Sequence, residues 1–201
     1  MHYTSLEVLK KNKKMIKEIV KYGDKILRTV CKEYTPENNK DISNLISNLK
    51  DTLASVKNGA GLASPQIGVN NRVFVTRNYR DDNPDEILTF INPEIKTKSK
   101  EKLMVADGCL SIPNIHSETE RHSYITVSYL DEGMNKIEEE LEGFQSVVFQ
   151  HELDHLNGIL FLDLLDEEEK IKIQEFILRQ KTEPNIFYIE GKIIEMSLKN
   201  G

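Results

Sequence analysis

Residues 150 to 161 read QHELDHLNGILF, which places two of the chain's five histidines four positions apart with a glutamate directly after the first. An α-helix turns once in about 3.6 residues, so His151 and His155 share a face and can present two imidazoles to one ion. Glu152 then stands beside that ion without ligating it, where a carboxylate can hold and deprotonate a water. A solvated helix with polar pairs four apart is the plainer reading of the same spacing. A catalytic centre of this type needs a third protein ligand and an open position.

Three candidates for that ligand follow from the residues. In one known arrangement a third histidine lies six positions after the second, past a glycine. Gly158 stands in register for it, but Phe161 occupies the histidine's place, and this route closes. Glu175, on a helix expected downstream and preceded by Glu167, Glu168 and Glu169, is the second candidate. That helix is charged throughout, and a solvated face explains its acids equally well. Cys109, in VADGCLSIP, is the third. It sits between a glycine and a turn-like Ser-Ile-Pro, a context too polar for simple core packing. A thiolate with two imidazoles suits zinc or ferrous iron better than magnesium or calcium.

Around the motif, periodicity indicates the elements that must hold these groups. Ile42, Leu45, Ile46, Leu49, Leu53 and Val56 recur at helical spacing after Asp41, and Asn58 with Gly59 supplies a stop. Leu6, Leu9, Ile16, Ile19 and Val20 fall on one face between lysines, which predicts an amphipathic helix over 6–20 laid on the core. RVFVTR (72–77), ILTFINPEI (87–95) and YITVSYL (124–130) are short and rich in β-branched and aromatic residues. DEGM (131–134) reads as a hairpin turn into KIEEELEGF (136–144). A second, charged helix is expected over about 166–181, and NIFYIEGKIIEMSL (185–198) alternates as strands do. The fold class that follows is α+β, mostly antiparallel strands packed around a central helix carrying the histidine motif, with flanking helices.

With 201 residues, 38% hydrophobic and 30% charged, and a formal charge of −6, the chain is expected to form one acidic domain, 1–201. A nucleic-acid or membrane-surface binder is disfavoured. Its apolar runs fall far short of the ~20 residues that span a bilayer. The lysine-rich N-terminus lacks the apolar stretch of a signal peptide, so the cytosol is the default location. Two cysteines argue against a disulfide framework, and Cys31 reads as a small buried apolar residue.

Three stretches line up with one family. GAGLASPQ (59–66), continued by Ile67 and Gly68, then DGCLS (107–111) and QHELDH (150–155), occur in the order of the three motifs of the peptide deformylases, which the chain resembles. IVKYGDKILR (19–28), FINPEI (90–95) and Arg121 extend the likeness over about residues 19–180. Residues 1–18 are left as an N-terminal helical extension and 182–201 as a C-terminal tail.

The resemblance implies removal of the formyl group from N-formylmethionyl peptides of nascent proteins, with release of formate. It implies one divalent ion on Cys109, His151 and His155: ferrous iron in the cell, with zinc, nickel or cobalt as substitutes. Glu152 becomes the proton carrier, and the Gln66 amide and the Leu110 backbone N–H face the formyl oxygen. Gly59 and Gly61 lie along the peptide main chain, and Asp107 and Arg121 fall with the substrate-binding residues. Asp154 reads as a supporting group. The implied partners are formylated nascent peptides at the ribosome, with no nucleic acid and no membrane, for a monomer or weak dimer.

One position departs from the pattern. Asp107 stands where the family has glutamate, which keeps the charge but shortens the reach by about one methylene, so any pairing with Arg121 must be rebuilt. Two rivals remain: a metallopeptidase with Glu175 as third ligand, and a formyl-peptide-binding relative without catalysis.

Overall fold

The computed structural model describes residues 14–37, 41–80, 83–183, 186–189 and 192–195. Among them the strands form two sheets. β1 (Gly61–Ala63), β2 (Val73–Asn78), β3 (Asn83–Lys98), β6 (Tyr124–Leu130) and β7 (Lys136–Glu142) pair antiparallel in the order β1-β2-β3-β6-β7. β4 (Lys102–Cys109), β5 (Ile112–His122), β8 (Ile186–Ile189) and β9 (Lys192–Glu195) form the second sheet in that order, with β5 and β8 parallel and the other pairs antiparallel. The α+β class expected from the sequence is the one observed.

Among the described residues, three α-helices accompany the sheets. α1 (Ile42–Ser55) starts at Asp41, whose side chain accepts from Asn44 N and so satisfies a free donor of the first turn. Its Leu45, Ile46, Leu49 and Leu53 pack on Leu62, Val73, Val75 and Ile91 of the first sheet. α3 (Glu167–Arg179) is capped by Asp166, and only Ile173 and Phe176 of it are fully buried. Glu167, Glu168 and Glu169 fill its first turn, where negative charge opposes the positive end of the helix dipole.

α2 (Gly143–Leu156) carries the histidine motif and has no single apolar stripe. Val147, Val148, Phe149, Leu153 and Leu156 are buried, and so are Gln145, Ser146 and Gln150. A helix enclosed on several faces must satisfy its buried polar groups, and these do so on both sheets. Gln145 donates to Thr76 Oγ1 at 2.9 Å and accepts from Tyr79 N at 2.9 Å. Gln150 donates to His122 O at 2.8 Å and accepts from His122 N at 3.0 Å. Phe149 adds an edge-to-face contact to Phe74 and another to Phe90, with centroids 5.1 and 5.2 Å apart. Truncating a buried ring of this kind costs about 3–5 kcal/mol. The helix is therefore held in one register, which fixes where its histidines point.

The helix expected over 6–20 is not formed where it is described. Residues 1–13 lie outside the described residues, and 14–20 carry no helix. Their backbone donors are spent on tertiary partners: Met15 N on Asp51 Oδ2 at 3.1 Å, Lys17 N on Thr52 Oγ1 at 2.9 Å, and Val20 N on Gln66 O at 2.8 Å. A short isolated helix is marginal in water, so such contacts override its periodicity. The C-terminal stretch read as strands does pair, as β8 and β9.

Candidate metal centre

Cys109 is the last residue of β4, and the two-residue turn Leu110–Ser111 leads to Ile112, its partner in β5. This hairpin brings the thiol against the face of α2. Cys109 Sγ lies 3.1 Å from His155 Nε2, and one ligating atom from each of Cys109, His151 and His155 falls within 4.8 Å of the other two. The imidazoles cross nearly at right angles, 5.0 Å between centroids. Burial by itself would raise the Cys109 pKa, but His155 and His151 outweigh it and hold the thiol at about 5. The thiolate is the ligating form.

A polar layer sets the ring of His151. Its Nδ1 meets Asp107 Oδ1 at 2.7 Å, leaving Nε2 for an ion. Asp107 Oδ2 accepts from Arg121 Nη2 at 2.8 Å and from Thr119 Oγ1 at 3.0 Å, and Arg121 also pairs with Asp154. Burial opposes ionisation of Asp107, yet His151 and Arg121 hold its carboxyl far below the usual range. His151 is likewise pushed down by burial but raised well above its ordinary pKa by Asp107 and Cys109. A bound cation would displace that proton, as ligation requires. Phe161, at the position where one known motif has a histidine, is buried with its ring 6.5 Å from that of His151.

Glu152 is buried beside the three ligands, and its Oε2 has no partner among the described residues. Burial, the largest influence, pushes its pKa up to about 7 against the opposing pull of His151 and His155. A thiolate, two imidazoles and an unsatisfied carboxylate oxygen are costly to bury together unless a cation and water complete the set. The donor set therefore fits a divalent ion. Gln66 is fully buried: its Oε1 accepts from Ala63 N at 2.8 Å, which turns Nε2 toward Cys109 Sγ at 3.4 Å and Ser111 Oγ at 3.3 Å. A cavity of about 620 Å³ opens in front, lined by Gly59, Gly61 and Gln66, by Leu110, and by Val147 and Val148 of α2 among others.

A model of the polypeptide deformylase family matches residues 16–171, which include all of these groups. The chain belongs to the polypeptide deformylase family. It is 39% identical over 164 residues to the peptide deformylase of Pseudothermotoga lettingae, covering 82% of this chain and 91% of that protein. A crystal structure of a peptide deformylase from Legionella pneumophila superposes with a TM-score of 0.74 at 31% identity, covering 83% of this chain and 96% of that one. The Met-Ala-Ser bound structure of a class I type b peptide deformylase from Acinetobacter baumannii gives 0.68 at 31%, covering 76% and 99%.

Against the deformylase expectations, the structure brings together Cys109, His151, His155, Glu152, Gln66 and Leu110. Gly59 and Gly61 sit at the cavity, with Gly61 in the edge strand β1. Arg121 is placed differently: it is buried behind His151 against Asp107 and Asp154, and it is not among the residues lining the cavity. The Asp107 carboxylate is likewise committed to His151, Arg121 and Thr119. Both are engaged in holding the His151 ring, and Asp107 also lines the cavity. Glu175 is exposed on α3, outside the ligand cluster. Thr119 escaped the sequence reading, and Ser111 entered it only as part of the DGCLS motif. The inward alternation of Ser117, Thr119 and Arg121 along β5 is the signal that could have revealed Thr119.

Proposed function

We infer that this chain is a metal-dependent hydrolase that removes the formyl group from N-formylmethionyl peptides of nascent proteins and releases formate. The observation that carries this is the convergence of Cys109, His151 and His155 around Glu152 within the deformylase family's fold. The relative from Acinetobacter baumannii described as bound to Met-Ala-Ser supports a peptide beginning with methionine as the product.

Cys109, His151 and His155 would hold the ion, which when bound supplies the Lewis acidity that makes water nucleophilic near neutral pH. Glu152 takes a proton from that water as its oxygen attacks the formyl carbon. The same carboxyl then hands the proton to the departing amine as the C–N bond breaks. Charge gathering on the formyl oxygen is met by Gln66 Nε2 and the Leu110 backbone N–H, each such donor being worth about 3 kcal/mol in the transition state. Ala63 N locks the Gln66 amide by holding its oxygen, so its N–H groups need no reorganisation. The peptide main chain runs beside Gly59 and Gly61 as a strand added to the free edge of β1.

The physiological ion is ferrous iron, with zinc, nickel or cobalt able to replace it; a thiolate with two imidazoles supports these over magnesium or calcium. Residues 1–201 act as a single catalytic domain in the cytoplasm, as monomer or weak dimer, on peptides emerging from the ribosome. The acidic composition supports no direct role for nucleic acid, and no helix among the described residues is long and apolar enough to cross a membrane.

Iron-loaded protein, kept anaerobic, is expected to release formate from formyl-Met-Ala-Ser. Folded, metal-replete protein that releases none above the metal-only blank would instead be the non-catalytic binder. Gly61 gives a second expectation. A Cβ there would stand 2.5 Å from Glu152 Oε1, so Gly61→Ala must displace the carboxylate. Turnover should fall about 10²-fold while metal content stays at the wild-type level. An unchanged rate would show that the Glu152 position is not critical.

A further inference from the structure

Residues 19–22 are pinned across the two loops that carry the formyl-oxygen donors. Val20 N donates to Gln66 O at 2.8 Å, Tyr22 N to Ser111 O at 2.9 Å, and Lys21 Nζ to Leu110 O at 3.0 Å. Ile19 and Lys21 line the cavity, and Lys21 is the one lysine or arginine among the described residues that do. An ammonium has three donors. Leu110 O takes one, the residue is exposed, and its hydrogen bond among the described residues goes to a carbonyl and not to a carboxylate. The acids lining the cavity, Asp107 and Glu152, are both buried, the first bound to His151 and Arg121. The exposed charge that a bound peptide meets on this wall is therefore positive, in a chain of net charge −6.

We propose that Lys21 makes the cavity selective for a side-chain carboxylate, aspartate or glutamate, at the second residue of the formylated peptide. This rests on the deformylase reading of the same site and extends it to the sequence of the substrate. Leu110 O already orders the Lys21 side chain, so little rotamer freedom is lost when a carboxylate arrives. The pair is solvent-accessible, which limits its effect to a few-fold and makes it sensitive to salt.

The test compares C-terminally amidated formyl-Met-Asp-Ser and formyl-Met-Ala-Ser on the metal-loaded full chain, by formate release. For the wild type, kcat/KM should favour the aspartyl peptide by about three- to fivefold, the scale of an exposed ion pair. The ratio should approach one in Lys21→Met and at about 0.5 M salt, survive in Lys21→Arg, and drop below one in Lys21→Glu. Any effect a substitution has on both peptides cancels in the ratio. A wild-type ratio of one or less, or a preference that persists in Lys21→Met, overturns the assignment. A third peptide, formyl-Met-Ala-Ser with a free C-terminal carboxylate, is run beside them, and a gain that it shows and the amidated aspartyl peptide lacks also overturns the assignment, because the carboxylate recognised is then that of the chain end. Release from the alanine peptide tests the deformylase reading separately, and affinities of both peptides for Glu152→Ala protein give the ratio without turnover.

Discussion

Glu152→Ala is expected to keep its metal and lose turnover by on the order of 10³-fold, about 4 kcal/mol of transition-state stabilisation. The side chain takes no part in the contacts that hold the ligands: Cys109 Sγ meets His155 Nε2, and His151 is held by Asp107. Its removal therefore spares the ion and deletes only the group that moves the proton twice. Metal analysis and formate release on the same preparation check this. A variant with a near-normal rate would show that another group is the base.

The pH profile separates this role from a structural one. A base must be ionised to accept a proton, so kcat/KM rises as pH increases through its pKa. Burial places Glu152 at about 7 in the metal-free chain, and a neighbouring cation pulls a carboxyl lower. The acid limb of the loaded enzyme should therefore lie below pH 7 and be missing from the residual activity of Glu152→Ala. A limb that persists in the variant would belong to a different group.

The parts of the molecule legible in the sequence are those in which one periodicity dominates. α1 shows it plainly, because one face packs on the first sheet and the other is exposed. α2 was legible for a chemical reason instead. It is buried on several faces, so its apolar pattern is blurred, and the His-Glu-x-x-His spacing revealed it. The β4–β5 hairpin was missed although it presents Cys109. β5 buries Ser117, Thr119 and Arg121 where a strand search looks for apolar residues. These polar residues are inside because they support Asp107 and α3: Thr119 and Arg121 bind the former, and Ser117 donates to Glu169 of the latter. The N-terminal segment failed in the opposite sense. Helical spacing over 6–20 is real in the sequence, but the described backbone over 14–20 finds its partners in α1 and beside Gln66. No local pattern encodes partners that lie some tens of residues away.

Cys109→Ala is expected to empty the metal site, whereas Glu175→Ala should retain a full complement. Two imidazoles remain in the cysteine variant, and they no longer meet a charged ligand. Loss of a supporting outer group typically costs 10–100-fold in affinity, and loss of a ligating thiolate should exceed that. Glu175 is exposed on a different helix and shares no contact with the cluster. Cobalt gives an optical readout beside metal analysis, because a thiolate-to-cobalt absorption should be present in Glu175→Ala and absent in Cys109→Ala. The two cysteines also differ as nucleophiles. Burial raises Cys31 to about 11, while the two histidines overcome burial to hold Cys109 at about 5. Alkylation of the metal-free protein near neutral pH should thus fall on Cys109 and be blocked by added metal, since the thiolate that reacts is the one that ligates. If Glu175→Ala were metal-free and Cys109→Ala were not, the third ligand would be the glutamate and the hairpin's thiol would have no part in the centre.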